Sequence, residues 1–386
     1  MNTSRWFAIG QADGSDQEAG ARAADQALSG PDPKLLIVFG SEALGLPAML
    51  RQIRARSGDV PLIGCSTAGE ISTRGPSEAS LLVAALGGDF SVRTAIARQA
   101  SRDVRAAGEH VAACLAGVED REHRVLLLLT DGLAGDQQEI IRGAYSVLGA
   151  GVPLVGGCAG DDLKMTRTYQ MWGDQVVTDA VVGAAIGSDA PLGIGVRHGC
   201  YRVGEPLLVT GSHGNKIYTL DDKPALDVYL ERIHAPLPER LTQDQVTRIA
   251  IMHPVGTSRR ASEEQIRFIC GAEAAERSLL STAEVPQGAL AWIMQGDAQT
   301  LLDAADAACR DSLAALGGLP PRGVLAFDCL ARRLALGDRG SRTEIDRIVA
   351  GAAGAPVAGF YGYGEIARTS GVSGFHNQTL AVLSIA

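Results

Sequence analysis

At 386 residues the chain is long enough for two or three domains, or for one large domain built from repeats. It is 46% hydrophobic and 20% charged, ordinary for a soluble globular protein, and at 4% aromatic its core must be made of small aliphatic side chains. A formal net charge of -9 argues against nucleic acid as a partner, because that binding depends on neutralising phosphates with Lys and Arg.

In chain order, "WFAIGQADGSDQEAGARAADQAL" reads as a strand and an amphipathic helix, and "LLIVFG" at 35–40 as a buried strand. A helix-length stretch then leads to "PLIGCSTAGEI" at 61–71 and the strand "SLLVAAL". The same succession returns with "VRTAIARQASRDVRAAGEHVAACL", "VLLLLTDG" at 125–132, "PLVGGCAGDDL" at 153–163 and "AVVGAAI". It returns again with "LAWIMQGDAQTLLDAADAACRDSL", "VLAFDC" at 324–329, "PVAGFYGYGEI" at 356–366 and "TLAVLSIA". These are β-α-β-α-β-β units of roughly 80–100 residues, at about 5–88, 89–187 and 288–386. Residues 188–287 read as a degenerate fourth copy or an insert. Within them "RIAIMHPVG" and "QIRFICGAE" read as a strand pair, and Pro236, Pro238 and "ERLTQDQ" as an exposed connection. The expected fold class is α/β, with layered mixed sheets covered by helices.

Aligning Pro61, Pro153 and Pro356 superposes Gly64, Gly156 and Gly359 without a gap. It also superposes the acids Glu70, Asp162 and Glu365. At the position of Cys65, in contrast, the copies carry Gly157 and Phe360. The recurring acids either lock the turn by accepting loop N–H groups, or bind the cationic group of a ligand with Arg332 opposite to hold a carboxylate. A thiol or serine hydrolase using Cys65 or Ser66 is the enzyme alternative. It is disfavoured because Ala68 stands where G-x-S-x-G needs its second glycine. Seven scattered cysteines without a CxxC pair suit reduced thiols. The start of the chain does not read as a signal peptide, and no apolar run approaches the roughly 20 residues of a membrane helix. A cytoplasmic location is expected.

The chain resembles the FIST family (F-box and intracellular signal transduction). "PLIGCSTAGEI" and "PLVGGCAGDD" resemble its N-terminal hallmark; "FDCLARR" at 327–333, "GFYGYGEIA" at 359–367 and "HNQTLAVL" at 376–383 resemble its C-terminal one. The resemblance implies a FIST-N domain over 1–190, holding two units, and a FIST-C domain over 191–386, holding the degenerate unit and the third. It implies a non-catalytic, sensory, ligand-binding protein of signal transduction, with amino acids among the ligands. The expected ligand-binding set is Cys65, Ser66, Thr67, Glu70, Cys158, Asp162, Arg332, Tyr363, Glu365, His376 and Asn377. The resemblance extends to haem-binding nitric-oxide sensors that regulate a separate histidine kinase, and a homodimer is compatible with it. Haem b would then be the cofactor, held non-covalently since there is no CxxCH, with His253 or His198 as axial ligand.

Overall fold

A computed structural model describes residues 4–14, 16–149, 151–235, 242–258, 265–369 and 374–386. Pro236, Pro238 and the first residues of the polar run after them lie outside the described residues.

Three six-stranded mixed sheets are assembled to one plan. In the first, Trp6–Asp13 pairs antiparallel with Ser80–Gly87, which pairs antiparallel with Pro33–Gly40, which runs parallel to Leu62–Ser66. In the second, the corresponding strands are Ser91–Arg98, Ala180–Ser188, His123–Thr130 and Leu154–Cys158. In the third they are Leu192–Arg197, Leu380–Ile385, Gly323–Cys329 and Val357–Gly362. The helices lie outside: Ala19–Ala27 and Leu46–Ser57, then Val104–Ala112 and Gln137–Leu148, then Ala298–Ala314 and Leu330–Gly351. Each outer layer has its own apolar cluster, as alternating strand faces and a helical stripe require.

Each sheet is completed by its neighbour. The hairpin Glu70–Ser72 and Gly75–Ser77 of the first unit joins the third sheet beside Val357–Gly362. The hairpin Gln170–Trp172 and Gln175–Val177 of the second joins the first sheet, and Glu365–Arg368 with Phe375–His376 of the third joins the second. The exchange is cyclic, so each unit hides a sheet edge of the next and none is complete alone. The inner faces share one core, at whose centre Phe39, Phe327 and Phe360 meet with ring centroids 4.9–6.4 Å apart. Fully burying a side chain of that size is worth about 1.5–3 kcal/mol.

The third unit starts earlier than its sequence suggests. Its first strand is Leu192–Arg197, whereas Leu290–Gln295, within "LAWIMQ", belongs to a fourth sheet. Residues 198–297 are an insertion between that first strand and its helix Ala298–Ala314, with their own core around Val209, Tyr229, Val255 and Ile293. Of the expected strand pair in it, Val255–Ser258 does pair with Gln265–Arg267, but Gln243–Met252 is a helix opened by a Thr242–Gln245 capping box.

Candidate functional site

The loops that follow the three central strands meet on the pseudo-threefold axis. Ser66 N donates to Tyr169 O (2.8 Å), Cys158 N to Gly364 O (2.8 Å) and Tyr361 N to Gly69 O (2.9 Å), one equivalent bond across each junction. Sheet register then identifies the equivalent residues of the donated hairpins: Glu70 opposite Phe360, Glu365 opposite Gly157, and Gln170 opposite Cys65. Asp162 is therefore not the counterpart of Glu70 and Glu365. It stands exposed at φ 55 in a longer loop, and its neighbour Asp161 is the anchor. Asp161 accepts from Met165 N, Thr166 N, Arg167 N and the Tyr363 hydroxyl.

Both recurring glutamates are wholly buried and bonded within their own loops. Glu70 accepts from Thr67 Oγ1 (2.6 Å), Ser80 Oγ (2.7 Å) and Ser80 N (3.2 Å); Glu365 accepts from Thr379 Oγ1 (2.7 Å) and Thr379 N (3.0 Å). Ala180 occupies the place of Ser80 and Thr379 and offers no hydroxyl, which suits the neutral Gln170. Burial pushes Glu70 up to about 7 and Glu365 up to about 8, against the pull of those donors. An unfolded glutamate releases its proton near its ordinary 4.5, so above that value the native state binds more protons than the unfolded one. Stability from these groups is therefore full below about pH 4.5 and falls as pH rises towards 8. Replacing both by Gln keeps the acceptors and removes the titration. Urea midpoints of Glu70→Gln/Glu365→Gln should decline less between about pH 5 and pH 8 than those of the parent; parallel declines would refute the assignment.

Cys65 is fully buried, and desolvation, then Cys158 and Glu70, hold its thiol well above the ordinary range. Burial likewise pushes Cys158 up to about 12. Ser66 Oγ donates to Gly160 O (2.8 Å) and accepts from Tyr169 N (2.9 Å). Ser66 ties two loops together, Cys65 is sealed in the core, and neither is poised as a nucleophile.

A second convergence lies in the third unit, at the seam with the insertion. Asp328 is the penultimate residue of the strand Gly323–Cys329, and Arg332 and Glu344 lie on the helix Leu330–Gly351; all three are fully buried. Residues 12 apart in a straight helix stand about 18 Å apart. Here Gly337 (φ 63, ψ 179) breaks the helix and folds Glu344 back onto the guanidinium. Arg332 donates through Nε to Asp328 (3.0 Å) and through Nη2 to Glu344, and also to the carbonyls of His198 (2.8 Å) and Leu301 (3.0 Å). Its donors are committed to the chain itself, not to a ligand carboxylate. Burial works against the charge on Arg332, but Glu344 and Asp328 outweigh it. Burial, then Glu344, holds Asp328 well above the ordinary carboxylate range, against the pull of Arg332. Asp328 Oδ2 and Glu344 Oε2 are buried without a hydrogen-bond partner, so two carboxyls converge on one guanidinium with an oxygen to spare on each. A narrow cavity of about 10 Å³, room for about one water, touches Arg332 and is lined also by Cys200, Ile251, Gly296, Leu301 and Gln378.

Two family comparisons match this architecture. Residues 34–223 match the FIST N domain and residues 225–368 the FIST C domain. The chain belongs to the FIST family. FIST domains are sensory, small-ligand-binding domains of signal transduction. Among similar proteins are uncharacterized ones of two Mycobacterium tuberculosis strains, 26% identical over 374 residues, covering 95% of this chain and 94% of theirs. An uncharacterized protein of Methanocaldococcus jannaschii is 26% identical over 249 residues, covering 57% of this chain and 46% of its own.

Both C-terminal FIST hallmarks deliver side chains to the seam. "FDCLARR" supplies Asp328 and Arg332, and "HNQT" supplies a staple to the insertion. Asn377 Oδ1 accepts from Thr282 Oγ1 (2.6 Å), and Gln378 Nε2 donates to Ala250 O (3.2 Å) and Ile251 O (2.9 Å). His376 Nε2 meets Ala367 O at 2.9 Å, and burial pushes its imidazole down to about 4. His198 and His253 border the same region from the insertion, His253 as the C-cap of a helix and not at a strand end. His198 Nδ1 already accepts from Cys200 N (3.0 Å); His253 Nδ1 is buried without a hydrogen-bond partner, and burial lowers its proton affinity. Neutral imidazole is the ligating form, but neither histidine lines the cavity at Arg332, and that cavity, with room for about one water, is far smaller than a porphyrin. The residues as arranged do not fit haem. Among the described residues no group of three or more His, Cys, Asp or Glu is placed to hold a metal ion, and no helix is long and apolar enough to cross a membrane. Tyr363 and Asp162 stay at the loop junction with Ser66 and Thr67, apart from the seam residues.

Residues absent from the sequence-based set are Asp161, Gln170, Asp328, Glu344 and Gln378. Asp328 was the legible one, since it stands four residues before Arg332, the spacing of a helical ion pair.

Proposed function

We propose that this FIST protein senses a small polar molecule, an amino acid being the class the family resemblance suggests, at the seam between the insertion and the third unit. The bound state would be relayed to a separate signalling protein through the pose of the insertion. The observation that carries the reading is the convergence of both C-terminal hallmarks on one narrow cavity, with Arg332 and Gln378 from the ring facing Cys200, Ile251 and Gly296 from the insertion; at about 10 Å³ the closed seam holds about one water, so an amino acid would enter only with the insertion swung away from the ring. The seam is the natural place for a mobile joint. Two bodies with largely separate cores meet there, joined by Ala283 in the second unit's apolar cluster and by polar links such as Arg142–Glu284 and Thr282–Asn377, and a ligand that bridges them shifts their equilibrium by its differential affinity. Thermal unfolding of the full chain with each common amino acid in turn tests it. A ligand at 100 times its dissociation constant adds about 2.7 kcal/mol, several degrees in midpoint. The shift should vanish in Gln378→Ala. A flat response to every amino acid would reject that class, and an equal shift in Gln378→Ala would reject the seam.

A further inference from the structure

The three units share a backbone plan, yet their polar interiors differ at one place. In the first unit Gly40 occupies the position of Asp328 and Ser66 that of Tyr361; in the second, Thr130 and Cys158 do. Ser66 and Thr130 are hydrogen-bonded, Thr130 Oγ1 to Gln137 at 2.7 Å. In the third unit the buried atoms Asp328 Oδ2, Glu344 Oε2, Tyr361 Oη and Glu365 Oε1 all lack a partner under ordinary hydrogen-bond geometry. This unit alone carries the insertion. Arg332, at the centre of the cluster, grips both ends of it: His198, where the chain leaves the ring, and Leu301, in the first turn after it returns.

We propose that Asp328 carries a proton towards Glu344, that the two carboxyls and Arg332 so form a neutral clamp fastening the two stalks of the insertion to the ring, and that loss of this proton releases them. With one proton between the carboxyls the triad is neutral and Arg332 has donors to spare for the two carbonyls. Without it, two carboxylates face one guanidinium in a site with no solvent exposure, and an uncompensated buried charge is expensive enough to draw in water. The cavity touching Arg332 lies between the stalk residues Cys200 and Gly296, so water entering there separates the stalks from the ring. The surrounding groups oppose a second negative charge. Glu365 faces the triad from the strand Glu365–Arg368, Tyr361 and Cys329 from the two central strands, Cys309 from the helix Ala298–Ala314 and Cys200 from the stalk. Arg333, the next residue along the helix from Arg332, is turned outward over the Tyr361 ring (5.2 Å) towards Ala68 O and Glu78.

The test needs no ligand, so it can fail independently of the sensing reading. Hydrogen–deuterium exchange is followed in the full chain across the pH range in which it stays folded, comparing the stalks around residues 198–202 and 294–301 with the core strand His123–Thr130. After correction for intrinsic exchange, stalk protection should fall relative to the core by up to about tenfold per pH unit, the dependence of one linked proton. Glu344→Gln, whose amide donates permanently to Asp328, should flatten that dependence; Asp328→Asn is the alternative if Glu344→Gln does not fold. Stalks that follow the core at every pH, or a variant that keeps the parent's dependence, would overturn the clamp.

Discussion

Arg332→Met is expected to lower stability by about 3–5 kcal/mol, the cost of leaving a buried charge without its partner. The guanidinium supplies four bonds, to two carboxyls and two carbonyls, in a site fully closed to solvent. Methionine fills part of the volume but donates nothing, so Asp328 and Glu344 must both be protonated or hydrated and two backbone acceptors are orphaned. The comparison that isolates electrostatics is the triple change Asp328→Leu/Arg332→Met/Glu344→Leu. It removes the charges together and should recover much of the loss, since buried ion clusters contribute little net stability over apolar packing. Urea midpoints of the two chains decide the matter. A single variant within about 1 kcal/mol of the parent would show that the guanidinium is not the hub described here.

Gly156→Ala should be about as damaging, at roughly 3 kcal/mol or more, because it combines overpacking with backbone strain. An added Cβ would stand 1.8 Å from the carbonyl oxygen of Leu128 on the adjoining strand, and Gly156 adopts φ 146. The pseudo-symmetric positions repeat the contact, Gly359 against Ala326 O at 1.8 Å and Gly64 against Val38 O at 2.4 Å. No rotamer relieves a clash with backbone, so the parallel pair must part and the donated hairpin beside it must move. Gly64→Ala, with a longer contact and no positive φ, should cost less. The order of midpoints among the three variants tests the equivalence as well as the magnitude.

This glycine is where the sequence was most legible. Its recurrence at 64, 156 and 359 identified three units, and the structure supplies the reason, close approach of paired strands. The closing acid was half legible. Glu70 and Glu365 are true counterparts, but the second unit's loop is longer, and a gapless alignment fell on Asp162 instead of Gln170. The true equivalence shows in the backbone, where Ala79, Asp179 and Gln378 share φ of 49°, 51° and 53°, but three different residue types there left no sign of it in the sequence. The third unit was misplaced because the insertion ends in an apolar strand, Leu290–Gln295, beside the helix it should have preceded. Sequence adjacency cannot reveal that this strand pairs with Tyr201–His213. The seam was hidden for a similar reason. Glu344 reaches Arg332 through a helix break, and His198 and Leu301 reach it across an insertion of about a hundred residues, so no local spacing joins them.

On the proposed function, a small ligand is read at the seam and not at the loop junction on the pseudo-threefold axis. Hydrogen–deuterium exchange of the full chain, with and without the amino acid that most raises its unfolding temperature, measures this directly. New protection is expected around residues 198–202, 250–253, 294–301 and 376–378, with the loops 66–70 and 158–163 unchanged. Protection confined to those two loops, with the seam unaffected, would contradict it.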